Sequence, residues 1–126
     1  MPWKIQIHPE PVIVETEYFG VLSPVDLGRA VQETIEAGRT AGATLFLADC
    51  SGLVGGHSMV DLYGLADLLA TLGFDVQYKE AVVMPGLDAP AENVRFWETV
   101  CLNRGLRVRI FPDRPGALEW LTAQSA

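Results

Sequence analysis

The side chains with the most chemical potential lie between Asp49 and Ser58, in the run Asp49-Cys50-Ser51-Gly52-Leu53-Val54-Gly55-Gly56-His57-Ser58. Cys50 and His57 have the residue types of a thiol nucleophile and its base, and Asp49, His57 and Ser58 those of a hydrolytic triad. Such sites need the nucleophile within hydrogen-bond reach of its base, and the base oriented by a third group. Sequence neighbours such as His57 and Ser58 do not predict that geometry, and no orienting group is evident for a Cys50–His57 pair. No catalytic residue is therefore assigned, and the chain is read as not being an enzyme. Cys50 and Cys101 lack the spacing of a zinc site, so no metal and no cofactor are expected, and both are read as reduced thiols.

A second chemistry fits the same run better. It leads from a strand end into a helix, and a helix N-terminus offers unpaired N–H groups and a favourable dipole to an anion. The glycines match neither a P-loop nor a dinucleotide fingerprint, and their plainer role is to supply positive φ. Ser58 has two roles open to it: an N-cap of the helix that follows, or a phosphoacceptor whose phosphate would bring a charge of about −2 to that helix end. Asp49, Ser51, Gly55, Gly56, His57, Met59 and Tyr63 are the candidate ligand- or partner-binding residues around it.

The elements that must position these residues follow from hydrophobic period and punctuation. Trp3 to His8 and Val12 to Phe19 alternate as strands and are joined closely enough to form an antiparallel hairpin. Glu15 and Glu17 read as an exposed acidic strand face. Ser23-Pro24-Val25-Asp26 is a helix start, followed by the stripe Leu27, Ala30, Val31, Thr34 and Ile35, with Gly38 or Gly42 as the stop. Thr44 to Ala48 is a strand covered on both faces, and residues 49–58 are a glycine-rich loop. A helix runs from Ser58 with Leu62, Leu65, Leu69 and Leu72 inward. Its outer side carries Met59, Tyr63 and Leu68. Ala81 to Met84 is a strand, and Asp88 and Pro90 open a helix to about Asn103 bearing Val94, Trp97, Val100 and Cys101. Leu106 to Phe111 is a last strand, and Pro115 to Leu121 a last helix with Ala117, Leu118 and Leu121 inward. The expected fold is α/β: a single-layer, mixed, mostly parallel sheet with helices packed on it, in the order β-β-α-β-α-β-α-β-α.

The 126 residues suit a single domain, 1–126, with a core that needs no staple. A hydrophobic fraction of 49% excludes disorder, and a net charge of −7 argues against nucleic acid and anionic lipid as partners. Arg104, Arg107, Arg109 and Arg114 read as a solvated rim. No stretch is apolar enough to span a membrane, and the MPWKIQIHPEP start does not read as a signal peptide, so a cytoplasmic location is expected.

Several strings carry a resemblance: G-x-L-S-P-x-D-L at Gly20 to Leu27, LFLADCSGL at Leu45 to Leu53, the helix from Ser58, KEAVVMP at Lys79 to Pro85, and Ala117-Leu118-Glu119-Trp120-Leu121. Together they resemble the STAS domains, and most closely their SpoIIAA-like branch with its anti-sigma-factor-antagonist relatives, over nearly the whole chain. Asp49-Cys50-Ser51-Gly52-Leu53 mimics the D-S-S-G-L phosphorylation motif of that family. It follows the third strand directly, however, whereas the family's motif begins the second helix. By that register Ser58 takes the phosphoacceptor place, with His57 where the family carries Asp and no Ser-Gly-Leu after it. The resemblance implies a regulatory or protein-interaction module using the 49–58 loop and helix 58–72. Its partner would be a protein, such as an anti-sigma-factor-like kinase, or a second copy in a homodimer. The alternative, motivated by the glycine-rich loop and the high hydrophobic content, is binding of a small molecule, lipid or nucleotide, in a crevice between loops 49–58 and 85–90 at the strand carboxyl ends; relatives closer in shape to Sec14-type domains imply a small apolar ligand.

Overall fold

The computed structural model describes residues 1–123. Five strands and four helices follow in chain order: β1 (Trp3–His8), β2 (Ile13–Val21), α1 (Pro24–Ala41), β3 (Leu45–Gly55), α2 (Met59–Thr71), β4 (Lys79–Val83), α3 (Asp88–Asn103), β5 (Arg107–Phe111) and α4 (Arg114–Thr122). The sheet is ordered β1-β2-β3-β4-β5, with β1 antiparallel to β2 and the other neighbours parallel. The mixed, mostly parallel α/β architecture is as the sequence predicts.

Sequential parallel neighbours joined by crossovers of one hand place their helices on one side of a sheet. Accordingly α1, α2 and α3 share one core with Val14, Tyr18, Phe46, Ala48, Cys50, Val82 and Val108, and α4 alone covers the opposite side through Ala117 and Leu121 on Leu47, Ala81 and Val83. Both well-capped helices begin where local chemistry dictates. Ser23 caps α1 with Asp26 closing the box, and Gly42, at φ 69°, ends it.

Two expectations are overturned by strand pairing. Residues 49–55 are not a loop: β3 runs on to Gly55, because β2 also runs on to Val21 and offers it a partner. The pairing steps from Glu17↔Asp49 to Phe19↔Gly52, then from Gly20↔Leu53 to Val21↔Gly55. Each step inserts one extra residue in β3, a pair of bulges that absorbs the polar and glycine residues. The Ser51 N–H, displaced by the first bulge, donates to Asp49 Oδ1 at 3.0 Å. Gly52 lies where a Cβ would come within 3.3 Å of Phe19 Cβ.

The second correction concerns Glu15, which is buried at 6% exposure instead of lining an exposed acidic face; Glu17 does remain exposed. α4 explains the burial, since its Arg114 forms an ion pair with Glu15, and His8 Nε2 lies 2.7 Å from the same carboxyl. Burial works to raise the Glu15 pKa, but the bonds from Arg114 and His8 outweigh it and hold the carboxyl below its usual value. The other arginines of the expected rim are dispersed. Arg104 pairs with Asp67 at 2.8 Å, Arg107 donates to the Val76 carbonyl, and Arg109 sits over the Phe111 ring.

Candidate functional site

The turn Gly56-His57-Ser58 carries the chain from β3 into α2. Gly56 has φ 108°, and a Cβ on it would lie 2.4 Å from the Leu22 carbonyl oxygen. The turn is thus pressed against the entry to α1. The Leu22 N–H donates to Gly55 O at 2.8 Å, and His57 Nδ1 lies 3.3 Å from Leu22 O. On the other flank, Asn93 of α3 donates to His57 O at 3.3 Å.

Ser58 is exposed at the N-cap of α2. Its hydroxyl accepts from the Asp61 N–H at 3.3 Å and donates to Asp61 Oδ2 at 2.9 Å, while the Ser58 N–H donates to the same oxygen at 2.7 Å. Asp61 therefore sits where phosphate oxygens on Ser58 would look for donors. The Ser58 N–H, and then its hydroxyl, hold the Asp61 carboxyl below its usual pKa. Ser58→Ala is expected to cost about 1 kcal/mol of stability in urea unfolding, the usual loss for a removed cap.

The candidate residues divide into three groups. Asp49 and Ser51 lie on β3 within the sheet. Gly55, Gly56, His57 and Ser58 form the corner. Met59 and Tyr63 stand outside on α2, at 42% and 55% exposure. Val60, which the sequence reading passed over, is the most exposed of this set at 80%, and Val54 and Val21 extend the apolar surface at the same end of the sheet. Leu68 does not belong to the strip, being half-buried facing Gly28 of α1. Tyr63 is held by the Arg104 guanidinium 4.5 Å above its ring.

The expected crevice between residues 49–58 and 85–90 is replaced by two separate features. An open hollow at the ends of β4 and β5 is lined by residues 84–88, Ala91, Arg95 and 110–112, with none from 49–58. The corner turns toward Leu22 instead, and beneath α2 lies an apolar chamber of about 60 Å³. Leu62 and Leu65 of α2 form its roof, and Ala48, Cys50, Leu53 and Val82 its sheet wall, with His57 also on the lining. The first bulge in β3 lets Cys50 and Leu53 both reach this side.

One polar group in the chamber was missed by the sequence reading: Glu80, on the interior strand β4 between β3 and β5, accepts from Trp97 Nε1 at 2.8 Å. The signal was a Lys-Glu pair opening the apolar run Ala81-Val82-Val83, where alternation turns Lys79 toward α4 and Glu80 toward the three-helix core. Lys79 is satisfied by the Trp120 carbonyl at 2.8 Å and by its ring. Burial pushes the Glu80 carboxyl up to about 7, against the lowering bond from Trp97. The Cys50 thiol is pushed up by burial and then by the negative charges of Glu80 and Asp49, and Cys101 by burial and Glu80, so neither favours the nucleophilic thiolate. Among the described residues no group of three or more His, Cys, Asp and Glu could hold a metal ion, and no helix is long and apolar enough to cross a membrane.

No protein-family model matches the chain, and no curated protein matches it. Solved structures do. The NMR structure of the protein TM1081 superposes with a TM-score of 0.61 at 12% identity, over 95% of this chain and 88% of that one. An uncharacterised protein of the DUF3478 family with a SpoIIAA-like fold, from Shewanella loihica PV-4, superposes with a TM-score of 0.55 at 22% identity, over 94% of this chain and 91% of that one. The chain has the SpoIIAA-like fold, in agreement with the resemblance carried by Gly20–Leu27 and Leu45–Leu53. At these identities the likeness concerns the fold alone.

Proposed function

We propose that this protein is a non-enzymatic regulatory module that docks a protein partner on the corner formed by Ser58, Met59, Val60 and Tyr63 with Val54 and Val21. The observation that carries this reading is the exposure of large apolar side chains at that corner, with Val60 at 80%, Val21 at 64% and Val54 at 49%. Such clusters on a soluble domain mark interaction sites. Asp26 and Asp61 head the two helices that meet there, and the chain as a whole carries −7, so the complementary partner presents apolar side chains among basic ones. The burial of both thiols, which disfavours the nucleophilic thiolate, supports the non-enzymatic half of the reading. Control by a kinase at the exposed Ser58 hydroxyl is the finer form of the proposal.

A photo-crosslinking amino acid at position 60, introduced in the source cells, is expected to yield a dominant adduct that the same residue at exposed Gln32 of α1 does not. An adduct with a second copy would make the partner this chain itself. Equal background at both positions would overturn the proposal. Ser58→Glu sets a second carboxylate against Asp61, opens the capping box and is expected to weaken the position-60 adduct severalfold. Met59→Asp should weaken the position-60 adduct severalfold while changing stability in urea unfolding by about 0.5 kcal/mol or less, because the side chain is exposed.

A further inference from the structure

We infer that the chamber beneath α2 is a binding site for a small, uncharged molecule bearing one hydrogen-bond acceptor, such as a short-chain ketone, aldehyde or alcohol, with the Glu80 carboxyl as its polar anchor. The inference goes beyond the docking surface and does not depend on it, since it concerns the inner side of α2. Three observations carry it. First, Glu80 lies on an interior strand covered by helices and yet keeps part of its surface accessible, as a side chain on a cavity wall does. Second, Trp97 occupies one carboxyl oxygen, while the other has no partner among the described residues and is not a buried orphan, so it borders accessible space, and Glu80 is on the chamber lining. Third, a smaller cavity of about 20 Å³ shares Tyr18, Val31, Glu80 and Trp97 with the chamber, so Glu80 lines both spaces.

Size and chemistry narrow the ligand. At about 60 Å³ the chamber is well below the roughly 150 Å³ of an engineered cavity that admits benzene. It suits a molecule of a few non-hydrogen atoms. The lining is apolar apart from Glu80, the Tyr18 hydroxyl and His57, which excludes a charged ligand on desolvation grounds. A protonated carboxyl has one O–H to donate, and that donor selects a carbonyl or hydroxyl oxygen over a hydrocarbon. The titratable groups facing Glu80 are Tyr18 of β2, Cys50 of β3 and Cys101 of α3, all held neutral by burial, with His57 on the chamber lining; α1 contributes Leu27, Val31 and Thr34. Glu80 is therefore the acid of this cluster that changes charge near neutral pH.

The test titrates acetone, ethanol and ethylammonium into the full chain while following the Trp97 indole N–H by heteronuclear NMR, at about pH 5.5 and about pH 8.5. Acetone, an acceptor only, is expected to give saturable shifts at the lower pH, with affinity falling more than tenfold at the higher pH as the protonated fraction shrinks, whereas ethanol, whose O–H can donate to the carboxylate, should saturate at both, and ethylammonium should give none at the lower pH. Glu80→Gln keeps a donor at every pH, so it should bind both neutral probes equally well at the two pH values, and His57→Gln should leave the pH dependence in place. Linear, unsaturable shifts, or a pH dependence that survives in Glu80→Gln, would overturn the inference. Loss of the position-60 cross-link without loss of probe binding would fail the docking proposal alone.

Discussion

Glu80→Gln is expected to stabilise this protein at alkaline pH by roughly 3 kcal/mol, raising Tm by about 10 °C, and to change little at about pH 4.5. The Glu80 carboxyl is held at about 7 in the folded chain against an ordinary 4.5. With the folded value raised, the folded chain keeps a proton that the unfolded chain has released. The contribution is fully present below the ordinary value and is lost as pH rises through about 7. Glutamine keeps the acceptor for Trp97 Nε1 and carries no charge to desolvate, so the variant does not suffer that loss. Urea unfolding of both proteins from about pH 4.5 to about pH 8.5 checks this. All other titrations, including the low-pH loss at the Arg114-paired Glu15, are common to both and cancel in the difference. Parallel curves across that range would mean that Glu80 is as well solvated folded as unfolded, and the chamber would lose its polar anchor.

The second large effect is at the corner. Gly56→Ala is expected to cost about 3 kcal/mol, because φ 108° is strained for any residue with a Cβ and the added atom would sit 2.4 Å from the Leu22 oxygen and 2.7 Å from Val21 Cγ1. Neither obstacle is a flexible side-chain tip that could swing clear; one is backbone. Relief requires the turn to lift from the entry to α1, which moves Ser58 and the start of α2. Gly64→Ala in the same helix is the control: nothing lies within 4 Å of its Cβ, so alanine should stabilise by about 1 kcal/mol through helix propensity. Chemical denaturation of the two variants gives the comparison, and equal midpoints would remove the account of Gly56. A Gly56→Ala variant that still folds is also expected to lose the position-60 cross-link, as Ser58 and Val60 are carried away from Val54 and Val21.

The two sites differ in how far the amino-acid sequence reveals them. Element order, the capping of α1 by Ser23 and Asp26, the capping of α2 by Ser58 and Asp61, the Gly42 stop and the buried stripe of α1 are all legible, because each depends on hydrogen bonds or periodicity within a few residues of chain. Ser58 at the head of α2 could be located from the residues that follow it. The length of β3 could not. Asp49, Ser51, Gly52 and Gly55 have the local preferences of a loop, and only the extension of β2 to Val21, which supplies partners for a twice-bulged strand, makes them sheet. Burial was equally beyond local pattern. Glu15 is covered because α4 delivers Arg114 from the far end of the chain, and Glu80 is enclosed because three helices close over the strand that carries it. Local hydrogen-bonding chemistry acts through near neighbours and can be read in order along the chain; strand pairing, desolvation and empty space are properties of groups that meet only when the chain has folded.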